Sequence, residues 1–418
     1  MAHSRTGEVR MQHLWKAPSD RAGPEPGTSR NGGSNTSTRR ADTPCTGGAP
    51  TTAQEAVTAG ETFLHTHLRT TLDALRQTDE VFADEVADRA AALVRRGGKR
   101  LRTAFVWCGW QAAGGRGDPA DVLRIGAALE LLQACALVHD DIMDDSPIRR
   151  GAPAVHVDFA RMHHEELAHG SPDAFATGAA ILAGDLALAW ADDLFTETAL
   201  GSPYGWCLHR EWQAMRTEMA AGQYRDIRAQ ALGSSDVTEA VTVATLKSAF
   251  YTAVRPLGLG AALAGADEPT LRALRSAGRS AGLAFQLSDD LLGTFGDPAA
   301  TGKPVDDDLR ARKLTYLLAV AARLAEASGD VQAALVLAPG AEPRSDAGIA
   351  RMRSAMERTG ARAAVSAEVA ELTAASVGHF AATGAPARIV REFEALVRRA
   401  AGGAANTAPR NTAPREAR

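Results

Sequence analysis

Residues 129–151 read LELLQACALVHDDIMDDSPIRRG. An apolar helical run passes into a dense acidic cluster, then Pro147, then the pair Arg149–Arg150. On a helix, Asp140 and Asp144 are one turn apart and share a face, with Asp141 about 100° away. Like charges at this spacing repel, so the cluster needs a positive partner. Mg²⁺ is an economical one, because it takes oxygen ligands and is usually held by one or two carboxylates plus substrate phosphates. Taken alone, the same residues also fit a solvated acidic helix end, and the rest of the chain has to decide.

Working outward, apolar residues recur at helical spacing on both sides. Residues 55–76 place Phe63, Leu64, Leu68, Leu72 and Leu75 on one face. The same spacing predicts helices at about 80–96, 100–113, 119–145, 173–199, 206–231, 236–264, 268–296 and 306–327. Shorter ones follow within 345–400. No alternating pattern is long enough to argue for a sheet, and GGRGDP at 114–119 is a turn between helices, lacking the ending of a phosphate loop. The expected fold is all-α, a single large helical bundle around a central cavity, over residues 53–401.

Residues 1–52 are rich in Gly, Ser, Thr, Pro and Arg and read as a disordered tail, as do 402–418 with their tandem NTAPR. Within the first tail, Met11, Leu14 and Trp15 form a short apolar island, read either as chance or as a docking peptide that folds on a partner. A net charge of −4 gives no general basic surface for nucleic acid. Cys45, Cys108, Cys135 and Cys207 are too scattered for a disulfide framework or a zinc site. No apolar run reaches the roughly 18 residues of a membrane span, and the N-terminus lacks a secretion-signal pattern. A cytoplasmic enzyme fits these features.

A second acidic site, FQLSDDLLG at 285–293, carries Asp289 and Asp290 near a helix end, with Gln286 beside them. Behind it follow Lys303, Asp307, Asp308 and Lys313. A weaker third site is GQYRD, with Gln223 and Asp226 on one helical face. Two aspartate-rich helix ends facing each other can hold Mg²⁺ ions between them and clamp a diphosphate. Lys99, Arg100 and Arg102 stand at a helix start, where free N–H groups already favour anions. With Arg149, Arg150 and Lys247 they supply donors suited to phosphate oxygens. One metal-bridged and one purely basic anion site imply two phosphorylated substrates.

Taken together, GGKRLR, HDDIMDDSPIRRG, ILAGD, GQYRD, LKSA and FQLSDDLLGTFGD…TGK resemble, in order, the trans-isoprenyl diphosphate synthases of the polyprenyl synthetase family. The resemblance covers about residues 55–400. It implies a type I isoprenoid synthase fold, a homodimer and head-to-tail prenyl transfer: an allylic diphosphate ionises, isopentenyl diphosphate attacks the carbocation, and a proton is lost to the released diphosphate. It places Asp140, Asp141, Asp144, Asp289 and Asp290, supported by Asp226 and Gln223, around about three Mg²⁺ ions. Arg149, Lys247 and Lys303 then contact the allylic diphosphate, with Ser248, Gln286 and Lys313 near it. Lys99, Arg102, Gln133 and Arg150 match isopentenyl diphosphate contacts, with Arg100 next to them. His139 and His156 are expected to be structural.

Some positions depart from the family pattern. Gly293 stands where many members have a third Asp, Ser248 replaces Thr, and Ala311–Arg312 replace Glu-Gly, which puts a loop contact in doubt. In the family, bulky side chains four and five residues before the first motif stop chain growth early. Here Ala136 and Cys135 are small, which points to geranylgeranyl diphosphate. Farnesyl diphosphate follows instead if Phe250 or Tyr251 closes the tunnel, and longer products come third. A class I terpene cyclase fits poorly, since residues 51–400 contain no asparagine for its second metal triad and a cyclase has no use for GGKRLR. A non-catalytic subunit is expected to have lost aspartates that are all present here. In composition only, the N-terminal tail resembles arms by which some polyprenyl synthetases load into encapsulin shells.

Overall fold

The computed structural model of the chain describes residues 49–167, 169–296, 306–338 and 345–402. The expected tails therefore lie almost entirely outside the described residues, and so does Lys303. The described chain is all-α apart from one two-residue hairpin, Ile148–Arg149 against Ala152–Pro153. The first helix, Ala53–Thr78, starts where the Thr52 side chain accepts from the Glu55 N–H. Asp118, Ser171, Asp236 and Asp267 cap later helices in the same way, three of them followed by Pro in the first turn.

Most predicted helices are present within a residue or two. Several features differ, among them a helix at Val331–Leu337 and a π-helical stretch at Ala83–Ala87 that the sequence reading lacks. A helix at Val155–Glu166 follows the hairpin directly and has no counterpart in the sequence reading. The helix expected over 306–327 is broken into Asp307–Arg310 and Tyr316–Ser328, because Arg312 adopts a left-handed φ of 52° and Thr315 caps a fresh start. Finally, the predicted 236–264 helix passes through an eleven-residue π-helical stretch, Ala244–Val254, where wider turns replace α turns.

The core runs along Pro119–Met143, which buries Leu129, Leu131 and Leu132 completely and packs against Ala53–Thr78, Leu101–Ala112 and Pro172–Leu200. Pro119–Met143 and Pro172–Leu200 are both long and apolar enough by composition to cross a membrane, contrary to the sequence-based expectation. The apolar stretch of the first is 72% buried inside the bundle, as a core helix should be. That of the second is only 39% buried, and elsewhere along that helix as well as within the stretch large apolar side chains such as Ile181, Leu182 and Leu200 are exposed.

Candidate active site

The first acidic cluster sits at the C-terminal end of the Pro119–Met143 helix, with Asp144 as its C-cap. Asp140 accepts from Lys247 Nζ at 2.9 Å, Gln223 Nε2 at 3.1 Å and Arg149 Nη2 at 3.5 Å. Lys247 also reaches Asp226 at 2.7 Å, so the weak third site of the sequence is drawn into the first. This requires close approach of the Gly205–Leu232 helix: a Cβ on Gly222 would lie 2.4 Å from the Lys247 backbone nitrogen. Lys247 and Ser248 both belong to the π-helical stretch, which lies between Gly205–Leu232 and Glu268–Phe295.

Burial alone would raise the Asp140 pKa, but Lys247, Lys313 and Arg149 outweigh it and hold the carboxyl below its usual range. Conversely, burial alone would lower Lys247, and Asp140 and Asp226 hold it above the ordinary lysine value. Asp141 points away into the protein, 1% exposed, against Arg149 Nε at 2.8 Å and Arg149 Nη2. Its burial exceeds what Arg149 returns, and its pKa is raised. Asp144 pairs with Lys313 at 2.6 Å, which bridges on to Asp308 at 3.7 Å.

The second doublet is divided in the same sense. Asp289 faces Lys99 at 3.4 Å, whose ammonium also lies 5.0 Å from the Phe285 ring centroid. Asp290 turns inward, accepting from Gln286 Nε2 at 2.8 Å and the Tyr316 N–H at 3.1 Å. Gln286 is itself fixed by the Ser248 hydroxyl, which donates to its side-chain oxygen. Burial, only partly offset by Gln286, pushes Asp290 up to about 7.

The basic site is built differently. Arg102 stacks 4.0 Å from the Tyr251 ring centroid and donates to Thr252 Oγ1 at 3.4 Å. Arg102 Nε, Gln133 Oε1 and the Tyr251 hydroxyl are buried without a hydrogen-bond partner among the described residues. Arg150, at a left-handed φ of 54°, donates to Leu93 O at 2.9 Å. Burial, then repulsion from Arg100, Arg102 and Arg149, pull its pKa down, against Glu130. Such crowding of cations around partnerless polar atoms suits an anion.

Arg100 does not join this site. It is 5% exposed and donates to Glu61 at 2.9 Å, Glu130 at 2.6 Å and Val94 O at 2.9 Å, so its fork is taken up by the fold. Glu130, a lone carboxylate in the apolar run of its helix, was the overlooked signal for that clamp. Thr252, which carries no signal in the sequence, and Tyr251, expected only as a residue that could close the tunnel, both contact Arg102. His139 bridges to Cys135 Sγ at 3.7 Å, Ile181 O at 3.3 Å and Asp185 at 3.6 Å, packed over Gly184. Cys135 is therefore buried toward the Pro172–Leu200 helix, whereas Ala136 is half-buried.

Among the described residues no three His, Cys, Asp or Glu side chains converge tightly enough to hold a metal by themselves. The donors at hand are carboxylate oxygens, the ligand type that Mg²⁺ takes alongside phosphate and water. Asp141, expected as a ligand, is instead buried against Arg149, and its Oδ2 has no partner among the described residues. Asp140, Asp144, Asp226 and Asp289 are the residues that fit the ion.

The polyprenyl synthetase family matches residues 84–349. This chain belongs to that family. It is a prenyltransferase. The chain is 34% identical over 260 residues to a geranylgeranyl diphosphate synthase of Mycobacterium tuberculosis, covering 62% of this chain and 68% of the relative. It is 32% identical over 300 residues to a (2E,6E)-farnesyl diphosphate synthase of Mycobacterium bovis, covering 72% and 78%. Among solved structures, a Corynebacterium glutamicum geranylgeranyl pyrophosphate synthase complexed with isoprenyl diphosphate and magnesium superposes with a TM-score of 0.77. It shares 36% identity, with 82% of this chain and 98% of that one covered.

Proposed function

We propose that the chain condenses isopentenyl diphosphate with allylic diphosphates, in a Mg²⁺-dependent reaction, to make geranylgeranyl diphosphate. The observation that carries the reaction is the convergence of Asp140, Asp226 and Lys247, drawn from three separate segments onto one point. About three bound Mg²⁺ ions would neutralise charge that builds on the departing diphosphate, charge the transition state has and the ground state lacks. Asp140, Asp144, Asp226 and Asp289 would hold them. Lys247, Arg149 and Lys313 turn donors to the leaving diphosphate, with Lys303 assigned by resemblance. Lys99, Arg102, Gln133 and Arg150 hold isopentenyl diphosphate, and the released diphosphate accepts the proton.

Product length rests on Ala136, one turn before Asp140 and half-buried, where a methyl group leaves room for a growing chain. Cys135 faces His139 instead and acts through packing. Purified enzyme given Mg²⁺, isopentenyl diphosphate and farnesyl diphosphate is expected to yield the twenty-carbon diphosphate by mass. Absence of that product would overturn the assignment in favour of a farnesyl diphosphate synthase. The exposed apolar side chains of Ile181 and Leu182 support a homodimer, and a monomeric mass by light scattering would refute it. Docking on an encapsulin shell falls on the tail outside the described residues.

A further inference from the structure

Arg312 is a bulky residue in a left-handed backbone conformation, φ 52°, at a position where the family resemblance leads one to expect glycine. Its two terminal nitrogens are spent on the end of another helix, while Nε is buried without a hydrogen-bond partner among the described residues. Nη2 donates to Val336 O at 3.1 Å, and Nη1 donates to Leu337 O at 3.4 Å and Ala338 O at 3.1 Å. Val331–Leu337 ends there, and its last carbonyls have no intrahelical donors. A cation at this end also meets the negative pole of the helix.

The contact bears on the site through the next residue. Lys313 is the donor to Asp144 at 2.6 Å, and its N–H is held by Asp308 O at 2.9 Å. Around it, Leu309 and Leu314 are buried, Asp306 pairs with Arg353, and Arg310 pairs with Asp346. The segment 306–315 is thus fastened outward to the helices Val331–Leu337 and Asp346–Arg358 while it extends Lys313 inward.

We propose that Arg312 is a positioning residue for the allylic half of the reaction: by capping the Val331–Leu337 helix it sets the reach of Lys313 to Asp144. The proposal rests on the assignment of Lys313 and Asp144 to the metal–diphosphate site made above. In this chain an anchored arginine does the work of a flexible glycine, and the loop is held by a partner outside the cavity.

Arg312→Gly removes the anchor and relieves the backbone, so it separates positioning from folding. Expected is a rise of about tenfold in the allylic KM and in the Mg²⁺ concentration for half activity. The isopentenyl diphosphate KM and the Tm should stay close to those of the parent. Arg312→Lys, which keeps the charge and loses the fork, should fall between the two and serves if the glycine variant folds poorly. In a Lys313→Ala background the Arg312→Gly effect should vanish, because both act through one contact. Unchanged allylic and Mg²⁺ constants in Arg312→Gly overturn the proposal. So does a fall in Tm with both substrate constants moving together. If Lys313→Ala itself leaves the allylic KM unchanged, the underlying assignment of Lys313 fails, whatever Arg312 does.

Discussion

The two aspartate doublets look alike in sequence and divide alike in space; burial raises the pKa of both inward-turned members, but their partners differ in kind. At Asp140–Asp141 the buried partner faces an arginine and is held as an ion pair. At Asp289–Asp290 the buried partner faces an amide and a backbone N–H, and burial draws it toward its protonated form. The outer members, Asp140 and Asp289, meet lysines. Each doublet thus has one carboxylate that meets a lysine and one that is buried, and the partners of the second are an arginine in one case and an amide with a backbone N–H in the other. The helices differ one turn upstream as well. Ala136 precedes Asp140 by four residues, whereas Phe285 holds the same place before Asp289. The first helix carries a methyl group there and the second an aromatic ring.

The strongest test of this division is the outer pair. Asp140→Asn and Asp289→Asn should each lower kcat by roughly 10²-fold or more at saturating Mg²⁺. Near-normal turnover in either, by initial-rate assay, would break the equivalence. Next, Arg149→Ala strands the Asp141 charge, which should destabilise the metal-free protein by about 3 kcal/mol in denaturant unfolding. An unchanged midpoint would mean Asp141 does not need its cation. Ala136→Phe should move the main product toward fifteen carbons by mass, with turnover retained, giving the first helix the side chain the second already has.

The smallest effect concerns Asp290. Its folded pKa of about 7 lies above the ordinary 3.8, so the stability it contributes is present below 3.8 and is lost as pH rises through 7. Asp290→Asn removes that loss. Relative to the parent, its Tm in metal-free buffer should gain progressively across this window and level off above it. A constant difference at all pH values would show that Asp290 titrates normally.

Most of the fold could be read from the sequence because caps and apolar spacing act locally: Thr52, Asp118 and Asp267 mark helix starts without tertiary help. The break at 311–315 could not, since Ala311–Arg312 carries no Gly or Pro and its left-handed residue is stabilised from a helix more than twenty positions on. The site was legible as a set of residues, but not as a division of labour. Arg100 looked like its neighbours Lys99 and Arg102, yet its partners Glu61 and Glu130 lie 39 and 30 positions away. Likewise nothing in the letters DD says which carboxylate meets solvent, because that depends on the phase at which each helix packs.

The Asp140–Lys247–Asp226 bridge has a consequence for the order of events. The cations that would grip a diphosphate are already engaged as counter-ions to the carboxylates that would grip a metal. Neither newcomer gains its full set of contacts until the other releases those partners. Mg²⁺ and diphosphate should therefore enter as one cooperative, nearly neutral load, each raising the affinity for the other by the same factor. The resident ion pairs act as an interlock, disfavouring a bare metal ion or a bare diphosphate alike.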